Sequence, residues 1–288
     1  MKRSRGEMIY GYFNGIVLVL IGFVTLYPFL YVVLASVSEP VKLLSNQGVL
    51  WMPAGFTLNA YGKVFANRSI YVGYANTIFY VVVGTAVNIL ATAIAAYVLS
   101  RQQLMLRRFF TLMFIFTMYF SGGLIPNYIL MKDLGLINSR LALIIPGAIS
   151  TYNLMVMITG FNSVPQSLEE SARIDGASDW VILFHVILPL AKPTLMVILL
   201  YYAVGHWNSW FNAMIYLRDA DKRPLQLILR EILTRSQLGE MAGNTDVEDV
   251  GTTIKYATII VSTLPILCVY PFIQKYFVKG VMIGAVKE

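Results

Sequence analysis

Apolar residues gather into six long stretches, roughly 13–37, 72–99, 109–131, 141–161, 194–217 and 253–278. Each reaches the ~20 residues that a helix needs to cross the hydrocarbon core of a bilayer. Inside lipid the backbone must satisfy its own hydrogen bonds, so each stretch is expected to be helical. Alternation at period two does not persist anywhere, which argues against a barrel. The pattern therefore predicts an all-α membrane protein with six transmembrane helices.

Composition agrees and adds an orientation. Only 13% of residues are charged against 57% hydrophobic, and the mean hydropathy is +0.66. Soluble domains carry about 25% charged residues, so there is too little charge here to cover a water-facing surface. The net charge of +7 is read as flanking charge rather than as a nucleic-acid footprint. Lys2, Arg3 and Arg5 precede the first span; Arg101, Arg107 and Arg108 join the second and third; Lys275, Lys279 and Lys287 flank or follow the last. The short third-to-fourth connection holds only Lys132 and Arg140. Basic residues favour the cytoplasmic side of short loops, and long loops weigh little, so both termini are expected in the cytoplasm.

This divides the chain into a cytoplasmic tail (1–12), a six-helix transmembrane domain (13–278) and a second tail (279–288). Loops 38–71 and 218–252 lie outside, and 162–192 lies inside. An amphipathic run, 224–233, places Leu225, Ile228, Leu229 and Ile232 at helical spacing and predicts a helix at the membrane surface. The first stretch continues past the length of a signal h-region and is read as a span. Cys268 is the single cysteine, so no intrachain disulfide can form.

The inner loop carries the most informative pattern. Ser167 followed by Glu170 matches a capping box, which predicts a helix start. Gly176 falls where that helix would end, because glycine takes the left-handed C′ conformation freely. A second amphipathic helix is expected over about 178–186, with Pro189 and Pro193 breaking the chain before the fifth span. A short helix with an acidic face and small residues can lie in a groove of another protein. An ordinary solvated amphipathic loop fits the same pattern.

Glu170-Ser171-Ala172, then Gly176, then Ile187-Leu188-Pro189 resemble the EAA loop of ABC-importer permeases, and Asp175, Gly176 and Ala177 match its extended form. Ser171 stands where the motif has its first alanine. Further stretches, Phe120 to Pro126, Asn138-Ser139-Arg140 and Trp207 to Phe211, resemble the carbohydrate-importer branch, similar to the maltose-type second permease and to oligosaccharide and alginate permeases. The resemblance implies a type I ABC importer permease fold in a bacterial cytoplasmic membrane. It implies that Glu169, Glu170, Ser171, Ala172, Asp175, Gly176 and Ala177 couple to an ATPase. The implied partners are a second permease, two ATP-binding cassette subunits that hold ATP and Mg, and an extracytoplasmic sugar-binding protein.

Absences narrow the chemistry. There is no G-x-x-x-x-G-K-[ST] loop to cradle ATP phosphates, so the energy for active transport must come from a partner. The spans hold no Asp or Glu, which argues against a proton-coupled transporter or a channel with an acidic ring. His185 and His206 lack metal-ligand spacing, no nucleophile elbow is present, and neither an enzyme nor a cofactor is expected. Neutral polar and aromatic residues remain as pathway candidates: Asn153, Trp207, Asn208, Trp210, Phe211 and Asn212. Amides can bond sugar hydroxyls while rings stack on the sugar face, although interfacial aromatics and interhelical Asn fit them too. At helical spacing Trp207 pairs with Phe211, and Asn208 with Asn212. Peptides, amino acids or metal complexes stay open as alternative cargo. A secondary transporter and a membrane scaffold stay open as alternative classes.

Overall fold

The computed structural model describes residues 5–46, 48–101, 103–241, 253–268 and 271. Along the chain come α1 (Arg5–Ser36), α2 (Pro40–Ser45) and α3 (Asn59–Ala66). Next, α4 (Arg68–Phe79) runs through a π-helical turn, Tyr80–Gly84, into α5 (Thr85–Ser100). Then follow α6 (Arg107–Tyr119), α7 (Leu124–Asp133), a 3₁₀ turn (Arg140–Leu143), α8 (Thr151–Asn162) and α9 (Gln166–Ile174). The helix α10 (Asp179–Val181) passes through a π segment, Ile182–Ile187, into α11 (Leu188–Leu190) and then α12 (Lys192–Trp207). After α13 (Phe211–Tyr216) and a 3₁₀ turn (Ala220–Lys222) come α14 (Leu225–Met241) and α15 (Thr253–Cys268). Among the described residues there are no strands, only an isolated bridge between Ser38 and Phe56.

The apolar stretches are helical in large part, but they are not six continuous helices. Two helices, within α1 and across Arg68–Ser100, are long and apolar enough to cross a membrane, or four if each bent pair counts as one span. The third stretch breaks between α6 and α7 by 115°. Phe120 is extended and Gly123 has φ +85°, a backbone that L side chains resist. The fourth is shorter than expected: Pro146 and Gly147 fall in turns, and α8 begins only at Thr151. A helix of 12 residues spans about 18 Å. The fifth stretch ends its helix at Trp207 and restarts at Phe211. Most of 269–278, the second tail and the acidic stretch before α15 lie outside the described residues. At the other end α1 already begins at Arg5, so most of the expected tail 1–12 is helical.

The described residues divide into two compact units, one within Met1–Arg68 and Leu229–Pro265, the other within Ser69–Ile228 and Ile266–Glu288. In the first, segment 38–66 folds back on the end of α1. Ser36 and Ser38 are fully buried there; the Ser36 hydroxyl meets the Tyr61 hydroxyl at 2.8 Å, and Ser38 Oγ accepts from Ala54 N at 3.0 Å. Trp51 stacks on Phe23 at 5.9 Å and lies against Tyr27 at 5.6 Å. Such an aromatic group suits a membrane–water interface, where an apolar ring and a polar edge are both needed.

The second unit has its core where α5, α8 and α12 pack together, around Ala96, Leu154, Met157, Ile182, Leu183 and Ile198. Close approach is made possible by small residues: a Cβ on Gly160 would lie 2.6 Å from Thr194. Several polar groups in this core are satisfied internally. Tyr202 accepts from Ser150 N at 2.9 Å and meets Thr92 Oγ1 at 2.7 Å. The first turn of α14 also belongs to this unit. Leu225, Leu227 and Ile228 are buried, and Leu225 N donates to Thr77 Oγ1 at 2.9 Å. The run expected to lie on the membrane surface therefore begins inside the protein, since its first apolar turn has helices to pack on.

Candidate functional site

The segment 166–190 forms two helices joined by a glycine turn, as the sequence pattern predicts. Its start differs in detail. The N-cap of α9 is Pro165, so Ser167 already lies inside the helix and no capping box forms. Ser171, which replaces the motif's alanine, donates to Ser167 O at 2.9 Å and so satisfies its own hydroxyl. The end of α9 follows the expected chemistry. Gly176 has φ +80°; its N–H donates to Arg173 O at 3.1 Å, and Ala177 N donates to Ala172 O at 2.9 Å. That pair is a Schellman motif, and it satisfies carbonyls that the helix end would otherwise leave open. Ala172 and Ala177 both pack on the α5–α8–α12 core, so the turn is anchored by its apolar side. Ser178 then caps the next helix, its hydroxyl accepting from Val181 N at 3.5 Å. Pro189 does not break the chain. It is accommodated in α11, and the 88° bend comes at Ala191.

The two faces of α9 differ. Glu170, Ser171, Ile174, Asp175 and Gly176 are exposed, and Ile174 is 87% exposed. Glu169 points the other way and is 5% exposed. Its carboxylate forms an ion pair with Arg101, at the C-cap of α5, and accepts from Arg173 Nη2 at 3.2 Å. Arg173 donates in turn to Asp179 Oδ1 at 2.6 Å, and the Tyr97 hydroxyl donates to the same oxygen at 3.0 Å. The Arg101 guanidinium sits 4.4 Å from the centre of the Tyr97 ring. Tyr97, Arg101, Glu169, Arg173 and Asp179 thus close a ring that joins α5, α9 and the start of α10. Burial holds the Arg101 pKa below its ordinary value, but a guanidinium starts so high that it remains charged. A cleft of about 640 Å³, lined by Arg107, Asn162 and Gln166 among others, opens beside the ring.

The pathway candidates do not form one lining. Asn153 is buried in α8, whereas Asn208, Phe211 and Asn212 are exposed. The break at 208–210 removes the continuous helical face expected for Trp207 with Phe211 and Asn208 with Asn212. Trp207 lies edge-on to Tyr74 at 6.5 Å, and its indole nitrogen is buried with no hydrogen-bond partner. Trp210 packs toward Tyr80, Ile144 and Ala213.

Other polar residues of the spans are structural. Asn88 donates to Gly147 O and Ala148 O at 2.7 and 3.0 Å, which leaves its Oδ1 to accept from His206 Nε2 at 2.6 Å. Asn76 donates to Asp221 O at 2.7 Å and accepts from Arg140 Nη2 at 3.0 Å. Sequence reasoning missed the roles of Tyr97, Arg101 and Asp179. Arg101 had registered only as a charge flanking a span.

The fold is a bundle of apolar helices that displays an exposed helix–glycine–helix segment, the arrangement of an integral membrane protein. The chain belongs to the family described as the binding-protein-dependent transport system inner membrane component, whose model matches residues 104–283. It is 40% identical to the polygalacturonan/rhamnogalacturonan transport system permease protein YtcP of Bacillus subtilis (strain 168), across 100% of both chains. It is 39% identical to the protein LplC of the same organism, across 100% of this chain and 98% of that one. Among solved structures, a chain of a bacterial ABC transporter involved in the import of the acidic polysaccharide alginate superposes with a TM-score of 0.88. Identity there is 36%, over 96% of this chain and 99% of that one. The fold is therefore the type I ABC permease fold, and the chain is a permease subunit of an ABC importer.

Proposed function

We propose that this subunit forms half of the membrane pathway for an oligosaccharide, and that the cargo is acidic. The observation that carries the reading is end-to-end similarity to a permease for polygalacturonan and rhamnogalacturonan and to an alginate importer. The spans themselves hold no carboxylate that would repel a uronate.

The other half of the pathway is a second permease chain, two ATP-binding cassette subunits supply ATP hydrolysis, and an external binding protein delivers the sugar. Six spans run from 13 to 278, with both tails cytoplasmic. Glu170, Ser171, Ala172, Asp175, Gly176 and Ala177 form the coupling segment. Its exposed face, with Ile174 open to solvent, has the mixed apolar and acidic character of a helix that docks in a groove. ATP binding draws the two ATPase subunits together, moves α9, and switches the pathway toward the outside; hydrolysis resets it. Asn208, Phe211 and Asn212 face the pathway, with Asn153, Trp207 and Trp210 behind or beside them.

Co-expression of the chain with its partner subunits tests this. The purified complex with its binding protein should show ATPase activity stimulated by oligogalacturonate or alginate oligomers and not by neutral malto-oligosaccharides. Stimulation by the neutral series alone would overturn the acidic cargo. Absence of any copurifying ATPase would overturn the importer assembly. Asn208→Ala and Asn212→Ala should lower uptake while assembly stays normal, and unchanged uptake would remove them from the pathway.

A further inference from the structure

We infer that the buried Glu169–Arg101 pair is an internal strut that carries movement of α9 sideways into α5, so that Glu169 acts within the permease rather than on the ATPase surface. The inference rests on the proposed docking of α9.

The covalent path from α9 leads to its flanking elements, backward to α8 and forward through α10 and the π segment to α12. Helix α5 lies outside that path, yet it forms one side of the core on which α8 and α12 pack. For α9 to move the whole packed group, a contact must tie it to α5 without slipping. The Ala172 and Ala177 contacts are apolar and non-directional, and such surfaces can slide. A largely buried ion pair is different, because separating it takes the Glu169 carboxylate, 5% exposed, away from a charged partner in a poorly hydrated place. Glu169 is 5% exposed, so its carboxylate is not offered to a docking partner.

The geometry favours transmission at each link. Arg101 occupies the C-terminal end of α5, where a cation also meets the carbonyl end of the helix dipole. Its guanidinium is held over Tyr97, one turn earlier on α5. On the other side Arg173, one turn after Glu169, grips the same carboxylate and reaches Asp179. Tyr97 closes the ring through Asp179. Displacement of α9 therefore moves the end of α5 with it. Glu169 and Arg101 are positioning residues, and the rim contacts Arg173–Asp179 and Tyr97–Asp179 steer them. The rim ion pair is half-exposed on both sides and holds less strongly.

The test uses the complete transporter with Cys268→Ser and paired spin labels at Ile94→Cys on α5 and Ser167→Cys on α9, measured with and without trapped ATP. In otherwise unaltered protein the label separation should stay the same in both states. In Glu169→Gln it should change on ATP binding, while the ATPase subunits still copurify. Oligogalacturonate uptake per ATP hydrolysed should fall by about fivefold or more, the scale of a typical coupling between sites. The Glu169→Gln/Arg101→Gln double variant should lose about as much coupling as either single and clearly less than their sum, because both singles remove the same interaction. Simple additivity would overturn the strut. An unchanged separation and uptake ratio in Glu169→Gln would overturn the strut. So would loss of the ATPase from that variant with normal behaviour of the complexes that do form, since that marks a docking residue. If Glu169→Gln does not assemble, Tyr97→Phe removes only a hydroxyl from the rim; it should give a smaller change of the same kind, and no change would again overturn the strut. Glu170→Lys is the separate control: its failure to weaken ATPase docking would sink the docking reading and leave the internal separation measurement interpretable.

Discussion

His206 and Gly84 show how a polar side chain is housed in an apolar span. The ring of His206 fills the volume where a side chain at position 84 would stand, since a Cβ there would lie 2.5 Å from Nε2. The π turn at Tyr80–Gly84 belongs to the same packing, and Asn88 supplies the acceptor that the ring needs. Gly84→Ala should therefore displace His206 and lower stability by about 1–3 kcal/mol, as overpacking does. Gly205, one residue before His206, has open space around it, so Gly205→Ala should be neutral or slightly stabilising through helix propensity. Thermal unfolding of both variants in the same detergent reads the contrast. Equal losses would show that helical glycine as such, and not the Gly84–His206 contact, sets the effect.

At the scale of elements, breaks matter more than helices. The segment α9–turn–α10 depends on Gly176 in its left-handed conformation, and no atoms lie close enough to clash with a new Cβ. A substitution there acts through the backbone alone. Gly176→Ala should weaken the turn by about 1–2 kcal/mol, the cost of a left-handed L residue, and Gly176→Asn by less. Faster amide exchange at residues 172–177 in the alanine variant is the measurement. A larger effect of asparagine than of alanine would contradict the backbone account. The bend at Gly123 also uses a glycine at positive φ, whereas the one at Ala191, with φ −86°, falls just before Pro193, which has no N–H for the helical ladder.

At the scale of the whole molecule, the threading of the helices through the bilayer sets which segments meet which solution. The 32 residues of α1 extend about 48 Å, more than the ~30 Å hydrocarbon core, so one end must project into an interface. With Cys268 replaced, a cysteine at Ser171 should react with an impermeant maleimide only from the cytoplasmic side. A cysteine at Asn46 should react only from outside. Labelling of both from one side would contradict the proposed six-span arrangement.

The residues differ in how much of themselves they reveal before folding. Charge-free stretches and flanking arginines declare a membrane protein, because lipid imposes length and polarity on any chain that crosses it. The segment Glu170–Ala177 was legible for a local reason: a Schellman turn requires glycine at one place, and that requirement is written in consecutive residues. The interruptions at 120–123 and 208–210 were harder to see, because apolar side chains continue across them and hydropathy averages over a window. Arg101 and Glu169 lie far apart in the chain, and nothing local tells a flanking arginine from one half of a buried pair. Likewise nothing local marks Asn88, Asn76 and His206 as structural groups, because their partners come from distant parts of the chain. The sequence by itself determined the membrane class, the helical period and the glycine-turned pair of helices at 166–190, all of which follow from short-range rules. Only the tertiary structure decided which face of α9 looks outward, which polar side chains are already satisfied and which helices break, because each depends on atoms brought together from distant parts of the chain.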